Sequence, residues 1–465
     1  MSIASMTAAS RLASIAGPAH VISESHELAA YEVGGNRPTA VVLPGSAEEA
    51  TEIVKFAAGE KLAIVPCGAR TKFSMGLPPR AYDLALDLTR LNRIAAYDPA
   101  DLTLAVEPGV TLHKLAGVLA EHKQWLPLAV PYMRRTTVGG TIASGVDSHL
   151  RQMHGTPRDY ILGMEFITGQ GVAAKSGGRV VKNVSGYDMH KLMIGALGTL
   201  GVLTKINFRT FPLPLATRGF LARFDKAAKA LELRHSLARS PLTPQSLEIF
   251  TPSAARVVSS DAAARIAPEP MDADVLSMGH WTLAAEFSGN EKVLDRCERD
   301  LLTLADKCGA SNFTVLTASQ MPAVALRKHD FNPIMLASSP SAAIIKMSVL
   351  PTRMAELLAN AARAAETNSL PWAAMARGLG IIYFALLPRD RGDDARRRVI
   401  QATDQILPES AALGGHASIP WSPAEWKSSL KVWGLERPDL EQMRKLKNLF
   451  DPAGTLSPGR FMGGM

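Results

Sequence analysis

Three short stretches in the first half of the chain carry most of its potential chemistry: PCGARTKFSMG at 66–76, VGGTIASG at 138–145 and GALGTLG at 195–201. Glycine at this density weakens helix and strand alike, because each one loses more backbone freedom on folding than any other residue. In return, glycine turns let successive backbone N–H groups converge on an anion, or let the chain pass close to a flat ligand. One such stretch alone reads as a tight turn. Three within one α/β segment, all at strand or helix ends, favour a cradle, and Arg70 and Lys72 add positive charge to the first.

Other chemistries are excluded by their spacing. The chain has no G-x-x-x-x-G-K-[ST], no H-E-x-x-H and no G-x-S-x-G. GALGTLG is G-x-x-G-x-x-G and precedes a strand, whereas the dinucleotide fingerprint G-x-G-x-x-G opens a helix, so an NAD-type Rossmann domain is disfavoured. Three cysteines, Cys67, Cys297 and Cys308, form no C-x-x-C pair and support neither a disulfide framework, a zinc ribbon nor an iron–sulfur cluster. A reducing cytoplasm fits this usage. Past residue 214 the histidines are His235, His280, His329 and His416, all isolated in sequence, and no metal site is expected. Asp188 and Lys191, three apart, read as a surface ion pair rather than a catalytic dyad.

The elements that position these stretches are legible from Thr39 onward. TAVVLP reads as a strand; Ser46 with Glu49 makes a capping box; Ala50, Ile53, Val54, Ala57 and Ala58 share a helical face that Gly59 ends; LAIVP is a second strand. The glycine loop 66–76 therefore closes a β-α-β unit, and LALDL follows as a further strand. A second unit runs from LTLAVEPG through a helix with Leu112, Leu115, Ala116 and Leu119 on one side to TTVGGTIASG, then through β-rich pieces to a strand at 202–211. Pro212 and Pro214 mark a boundary. Beyond them strands are expected at 218–224, 245–250, 281–287, 312–316, 342–350 and 379–387. Helices are expected at 226–239, 290–308, 352–366 and 393–407. This cadence is that of an α+β sheet covered by helices on one face. A helix then ends at Phe450 before a turn-rich tail.

At 465 residues with 47% hydrophobic and 20% charged residues, the chain is globular and long enough for two or three domains. Its net charge of +8 favours anionic partners. No basic run interleaved with aromatics suggests nucleic acid, and no apolar run approaches the ~20 residues that span a bilayer, leaving at most peripheral membrane contact. The Ser/Ala-rich opening reads as a frayed terminus.

As an ordered set, PCGARTKFSMG, EPGVTLHKL, TTVGGTIASG, GTPRDYILGMEFITGQG, VKNVSGYDMHKLMIGALGTLGVLT and FDPAGTLSPGR resemble the FAD-binding domain of the vanillyl-alcohol-oxidase and p-cresol-methylhydroxylase (PCMH) family. More narrowly they are similar to the FAD-binding subunits of bacterial glycolate oxidases. The resemblance covers residues 38–214 and the C-terminal end. It implies an α+β fold: an N-terminal segment (1–37), a two-subdomain PCMH-type FAD domain (38–214), an α+β cap with a helix-covered antiparallel sheet (215–440), and a C-terminal segment (441–465) returning to the FAD domain. It implies that Cys67, Gly68, Ala69, Arg70, Thr71 and Lys72 wrap the FAD pyrophosphate. Thr137, Gly139, Gly140, Ser144 and Gly145 would line the cofactor, and Gly198, Gly201 and Val202 would lie against it, a side chain at 198 or 201 colliding with the flavin or bending the entry to the strand. Many relatives tether flavin through a histidine in the first loop; this loop has none, so FAD is expected to be non-covalent, with Cys67 a small buried thiol. The metal-holding HGDGN-like stretch of related 2-hydroxyacid dehydrogenases is absent as well. Two roles follow from the resemblance: an FAD-dependent oxidoreductase acting on glycolate or another small 2-hydroxy acid, or a flavin-bearing relay or structural subunit beside a sister flavoprotein and an iron–sulfur subunit. Lys346 and His416 are the weak candidates for substrate contact, and no catalytic base is assigned.

Overall fold

The computed structural model describes residues 3–180, 186–271, 275–276 and 279–465, with side chains from residue 8 onward; the 181–185 part of the quoted VKNVSGYD stretch lies outside them. The opening is ordered rather than frayed. Helix α1 (Ile3–Ala16) buries Leu12 and Ala16 in one core with Ile53, Val54 and Ile64. A short strand β1 (Val21–Ile22) then pairs antiparallel with β2 (Ala40–Val42).

The expected β-α-β unit is present. Helix α2 (Ala47–Gly59) starts at Ser46, whose Oγ accepts from the Glu49 N–H at 3.2 Å, and buries Ala50, Ile53, Val54 and Ala57. Glu49 reaches back to the Gly45 N–H at 2.7 Å, one residue before the expected box partner. The helix ends at Gly59 as expected, and the left-handed turn is taken two residues on by Lys61 at φ 58°. Strand β3 (Ile64–Cys67) and β2 both pair in parallel with β4 (Leu84–Asp87), giving a four-stranded sheet in the order β1-β2-β4-β3.

The second lobe is a five-stranded antiparallel sheet, built from β5 (Ile94–Asp98), β6 (Thr103–Val106), β7 (Ile161–Ile167), β8 (Ala173–Gly177) and β9 (Val202–Arg209) in the order β5-β6-β9-β7-β8. Helix α3 (Leu112–Glu121) buries Leu112, Leu115 and Leu119, while Ala116 faces solvent. The stretch 138–144 is not a turn but a helix, α4 (Val138–Ser144), started by Thr137, whose Oγ1 accepts from the Gly140 N–H.

The remaining chain forms an eight-stranded antiparallel sheet of β10 (Ala216–Phe224), β11 (Ser246–Phe250), β12 (Trp281–Gly289), β13 (Asn312–Val315), β14 (Ala343–Ser348), β15 (Trp372–Arg377), β16 (Ile381–Leu386) and β17 (His416–Trp421). Their order is β13-β10-β12-β11-β15-β16-β14-β17. The expected helices 227–238, 291–307, 354–367 and 393–412 pack on one face through Leu233, Leu301, Leu357 and Val399. The last of them continues through Pro408, beyond its expected end at 407. The opposite face is covered too, correcting the one-sided expectation: helices α5 (Pro252–Val258), α6 (Gln320–His329) and α7 (Phe331–Ser338) share a core with Tyr383, Met375 and the second lobe. Burial on both faces explains why β15 escaped the sequence reading. Its Ala373, Ala374, Met375 and Ala376 are all buried, so no alternation marks it.

Helix α8 (Leu440–Phe450) leads into a tail that returns to the first lobe. Leu456 bridges Ile64 in parallel, the Ile64 N–H donates to Thr455 O and the Ser457 N–H to Ile64 O, each at 2.7 Å. Lys447 Nζ locks the tail by donating to Thr199 O and Leu456 O at 2.8 and 2.9 Å. Among the described residues no helix is long and apolar enough to cross a membrane.

Candidate functional site: a glycine-walled cavity

Strand β3 ends at Cys67, and the loop that follows forms one wall of a cleft that spans about 720 Å³ with its solvent-open mouth included. Cys67, Gly68, Ala69, Arg70, Thr71, Lys72, Thr137, Gly139, Gly140, Ser144, Gly198 and Gly201 all line it, joined by Arg460 from the tail. Gly145 and Val202 do not. Gly145 ends α4 at φ 59°, where a Cβ would lie 2.8 Å from Gly195 Cα; Val202 is fully buried opposite Ile167.

Several of these glycines are required by the protein rather than by a ligand. A Cβ on Gly68 would lie 2.3 Å from Thr137 Oγ1, one on Gly139 2.5 Å from Pro108, and one on Gly201 3.2 Å from Ile167 O and 3.1 Å from Phe166. The collision expected between a residue at 201 and the cofactor is thus met first by strand β7. Gly140 differs: a Cβ there meets only Thr137 Oγ1, at 3.1 Å. At Gly198 the φ of 70° favours glycine, and its missing side chain faces Pro66 and Ser457 Oγ, a buried hydroxyl without a partner.

The charges divide sharply. Arg70, a non-glycine residue at φ 59°, pairs with Asp87 at 2.9 Å and lies over the Tyr31 ring at 4.2 Å, so its charge is neutralised within the loop. Lys72 Nζ donates to Thr136 Oγ1 at 2.5 Å and Thr71 Oγ1 at 3.2 Å, with no carboxylate at ion-pair distance. Protein encloses Lys72 on nearly all sides and its exposure is to cavity space; this burial pushes its ammonium down to about 7, Asp330 opposing the shift. Just beyond, five successive carbonyls are held by two buried cations in alternation. Arg460 donates to Phe73 O and Met75 O at 2.8 Å and to Leu77 O at 3.4 Å; Lys427 donates to Ser74 O and Gly76 O at 2.5 Å. Burial lowers both, Arg460 to about 10 and Lys427 to about 7. Among the described residues no protein acceptor takes the backbone N–H of Ala69, Arg70, Thr71 or Lys72. Unpaired amides beside cations that lack carboxylates fit a dinucleotide pyrophosphate. Cys67 is buried and its thiol is pushed up by desolvation and by Asp87, which disfavours the reactive thiolate.

Sequence reading missed the polar groups the cap contributes. Asp330 accepts the Tyr132 N–H at 2.7 Å and holds that residue at φ 60°; desolvation raises its carboxyl to about 6. Asn332 and Trp421 stand nearby. Of these additions only Arg460 lay inside a motif already marked, SPGR. Lys346 and His416 lie elsewhere: Lys346 sits on β14 between Tyr383 and Ser418, His416 is half-buried opposite Ser348, and neither lines this cavity or its neighbour. Asp188 and Lys191 form the expected pair at 2.8 Å.

A separate buried network joins the second lobe to the cap sheet. Lys328 pairs with Glu286 at 2.6 Å and Glu248 at 3.1 Å, His149 Nδ1 lies 3.0 Å from Glu248, and Arg377 pairs with Asp147 at 3.0 Å. His329, isolated in sequence, stands with its ring 5.3 Å from His149; burial pushes both imidazoles down, His329 to about 3. Among the described residues no group of three or more His, Cys, Asp or Glu is placed to hold a metal ion.

The sequence pattern of the FAD binding domain matches residues 38–177, and that of the FAD linked oxidases, C-terminal domain, matches residues 213–418 and 434–461, half of the chain. The chain belongs to the FAD-linked oxidases. It is an FAD-dependent oxidoreductase, as the resemblance implied. Over 425 residues this FAD-linked oxidase is 24% identical to glycolate oxidase subunit GlcD of Bacillus subtilis (strain 168), covering 91% of this chain and 88% of that one. Over 167 residues it is 36% identical to glycolate oxidase subunit GlcE of Escherichia coli (strain K12), covering 36% of this chain and 47% of that one. Its fold is that of p-cresol methylhydroxylase, whose substrate-bound crystal structure superposes with a TM-score of 0.79 at 19% identity, covering 99% and 97% of the two chains.

Proposed function

We propose that this FAD-linked oxidase holds FAD non-covalently in the glycine-walled cavity and serves the oxidation of glycolate or a similar small 2-hydroxy acid, in a complex with a sister flavoprotein subunit and an iron–sulfur subunit. What carries the reading is the convergence of three separate glycine stretches on one cavity where Lys72 and Arg460 lack carboxylate partners. Residues 38–214 would form the cofactor domain, 215–440 the cap, and 441–465 the returning segment that brings Arg460. The N–H groups of Ala69 to Lys72, with Lys72 and Arg460, would take the pyrophosphate. Thr137, Gly139, Gly140 and Ser144 would follow the cofactor's length, Gly198 and Gly201 would form the floor, and Gly145 and Val202 would brace the wall from behind. When bound, FAD supplies the two-electron acceptor; the chain's own residues bind and orient the acid and keep water out. The 2-hydroxy acid assignment is supported by the printed function of the GlcD relative over most of its length. A cytoplasmic location, with peripheral membrane contact at most, is part of the proposal.

A second reading, a flavin-bearing relay or structural subunit whose sister oxidises the acid, is supported by the higher identity to GlcE, 36% over 167 residues. One experiment separates the two. The purified chain is denatured to release and quantify FAD, and an intact sample is mixed anaerobically with glycolate or D-lactate. Bleaching near 450 nm, on the order of the flavin content, supports turnover by this chain. Retained, unreduced flavin supports the relay, and absence of flavin overturns both.

A further inference from the structure

The third glycine stretch is divided between two cavities. Leu197, Gly198 and Gly201 line the flavin cavity, whereas Ile194 to Ala196, Thr199 and Leu200 line another, which spans about 630 Å³ with its solvent-open mouth included. Met443 and Leu446 on α8 and Phe461 in the tail line it as well. Leu192, Ile194, Leu200, Met443, Leu446 and Phe461 are each only partly buried, so the cavity presents apolar surface to water. Its charges are of one sign. Arg158, on the helical turn Pro157–Tyr160, donates from Nη1 to Lys191 O at 2.8 Å, which sets two cationic residues side by side in the lining. Lys191 has Asp188, but among the described residues no carboxylate stands at ion-pair distance from Arg158, and no Asp or Glu lines the cavity. The third cation, Lys447, is engaged within the protein, with Thr199 O, Leu456 O and Asp451. A concave apolar lining with a few convergent cations suits a small ligand that has an apolar body and an anionic end.

We propose that this cavity is a second ligand site, for a monocarboxylate with an unbranched apolar body, and that its occupancy is coupled to the flavin cavity through the glycine stretch between them. The coupling rests on the FAD-cavity reading; the site itself does not. Arg158 offers the planar fork that a carboxylate fits, with no carboxylate of its own to displace. The body would cover the partly buried side chains of α8, residues 192–200 and Phe461, removing their apolar surface from water. A second charged end would meet only apolar lining, which disfavours dicarboxylates. Lys447 links the two cavities. Its Nζ fixes Thr199 O within the dividing stretch and Leu456 O in the tail that carries Arg460. The stretch itself is conformationally unusual, because Leu197 takes φ 52° between Gly195 at 81° and Gly198 at 70°. A ligand that orders it removes part of the entropy FAD must otherwise overcome, so each should tighten the other by the same factor.

The test uses the full chain as purified, its FAD content measured on the same sample, and three probes with one body: decanoate, decanol and decyltrimethylammonium. Calorimetry should show a single decanoate site, preferred over both other probes by about tenfold or more. Arg158→Glu and Met443→Glu should each weaken decanoate by about tenfold or more. Neither side chain is buried, so both variants should melt within a few degrees of wild type. No decanoate binding, equal binding of the three probes, or undiminished affinity in either variant overturns the site. Dimerisation that Met443→Glu abolishes and decanoate does not disturb would assign the cavity to a second copy, and overturns it too. For the coupling, saturating decanoate should raise FAD affinity about fivefold and slow amide exchange across 194–201. Unchanged FAD affinity and exchange overturn the coupling and leave the site standing. If the chain takes up no flavin under any condition, the cofactor reading fails on that measurement, while calorimetry still decides the site.

Discussion

Two sets of buried cations lie in this molecule, and they are treated in opposite ways. At the junction of the second lobe with the cap sheet, Lys328 has two carboxylates and Arg377 has Asp147, within a network that also engages His149. Around the glycine loop, Lys72, Lys427 and Arg460 have only carbonyls and hydroxyls. A buried charge is costly unless it is paired and hydrogen-bonded. The junction's cations therefore have their counter-charges within the chain, whereas those around the loop have carbonyls and hydroxyls but no carboxylate at ion-pair distance. This contrast separates architecture from site more cleanly than conserved-looking residue types would, because both sets consist of the same lysines and arginines.

The largest test breaks the complete set. Lys328→Met leaves Glu248 and Glu286 buried without their cation, and should cost about 3–5 kcal/mol in urea unfolding. A loss below about 1 kcal/mol would mean the junction is not the self-sufficient structure described.

On the cofactor side, the corresponding change adds atoms rather than removing charge. Gly140→Leu places a side chain at a wall glycine that has no left-handed φ and whose Cβ would meet only Thr137 Oγ1. FAD content should fall to about a tenth or less of wild type, while the melting temperature of the flavin-free chain moves by only a few degrees. Gly201→Val should instead lower stability itself, since its Cβ meets Ile167 O and Phe166. Equal flavin loss and equal destabilisation in both variants would remove the distinction between wall and packing.

That distinction shows where sequence reading stops. Helix α2, strands β2 to β4 and the glycine loop 66–76 were legible because capping, periodicity and turn chemistry are local. The reason for Gly201 was not, because nothing in GALGTLGVLT tells whether the space beside it holds a ligand or strand β7. Burial on both faces hid β15. Lys427 carries no local signal, since its role depends on reaching Ser74 O and Gly76 O across more than 350 residues of chain. Asp330 is another such case: its hold on Tyr132 joins the cap to the cofactor domain. His329 appeared isolated because its neighbour His149 lies far away in sequence.

The incomplete set also predicts a pH dependence of known sign. Lys72 and Lys427 titrate near 7 when folded, against about 10.4 in an unfolded chain. Between those values the unfolded chain binds more protons, so stability of the flavin-free protein should rise from about pH 7 to about pH 10, by on the order of a few kcal/mol. Asp330, raised to about 6 from an unfolded value of about 3.9, acts in the opposite sense, and its stabilisation is lost as pH rises from about 4 to 6. Lys427→Met should reduce the rise above pH 7, and loading with FAD should flatten the share of it that Lys72, which lines the cavity, contributes. A rise unchanged by either would show that these lysines already have their counter-charge.

The smallest effect is expected where a cation is paired but exposed. Lys191 lies 2.8 Å from Asp188, with both side chains a third or more open to solvent. Water screens such a pair, and ordering two mobile side chains offsets most of the attraction. Lys191→Ala should therefore change urea stability by about 0.5 kcal/mol or less and leave FAD content untouched. The variant holds pairing constant and removes burial, which the Lys328 experiment cannot do. If Lys191→Ala approached the loss expected of Lys328→Met, burial would not be what makes an ion pair structural here, and the unpaired cations of the glycine loop could no longer be read as awaiting a ligand.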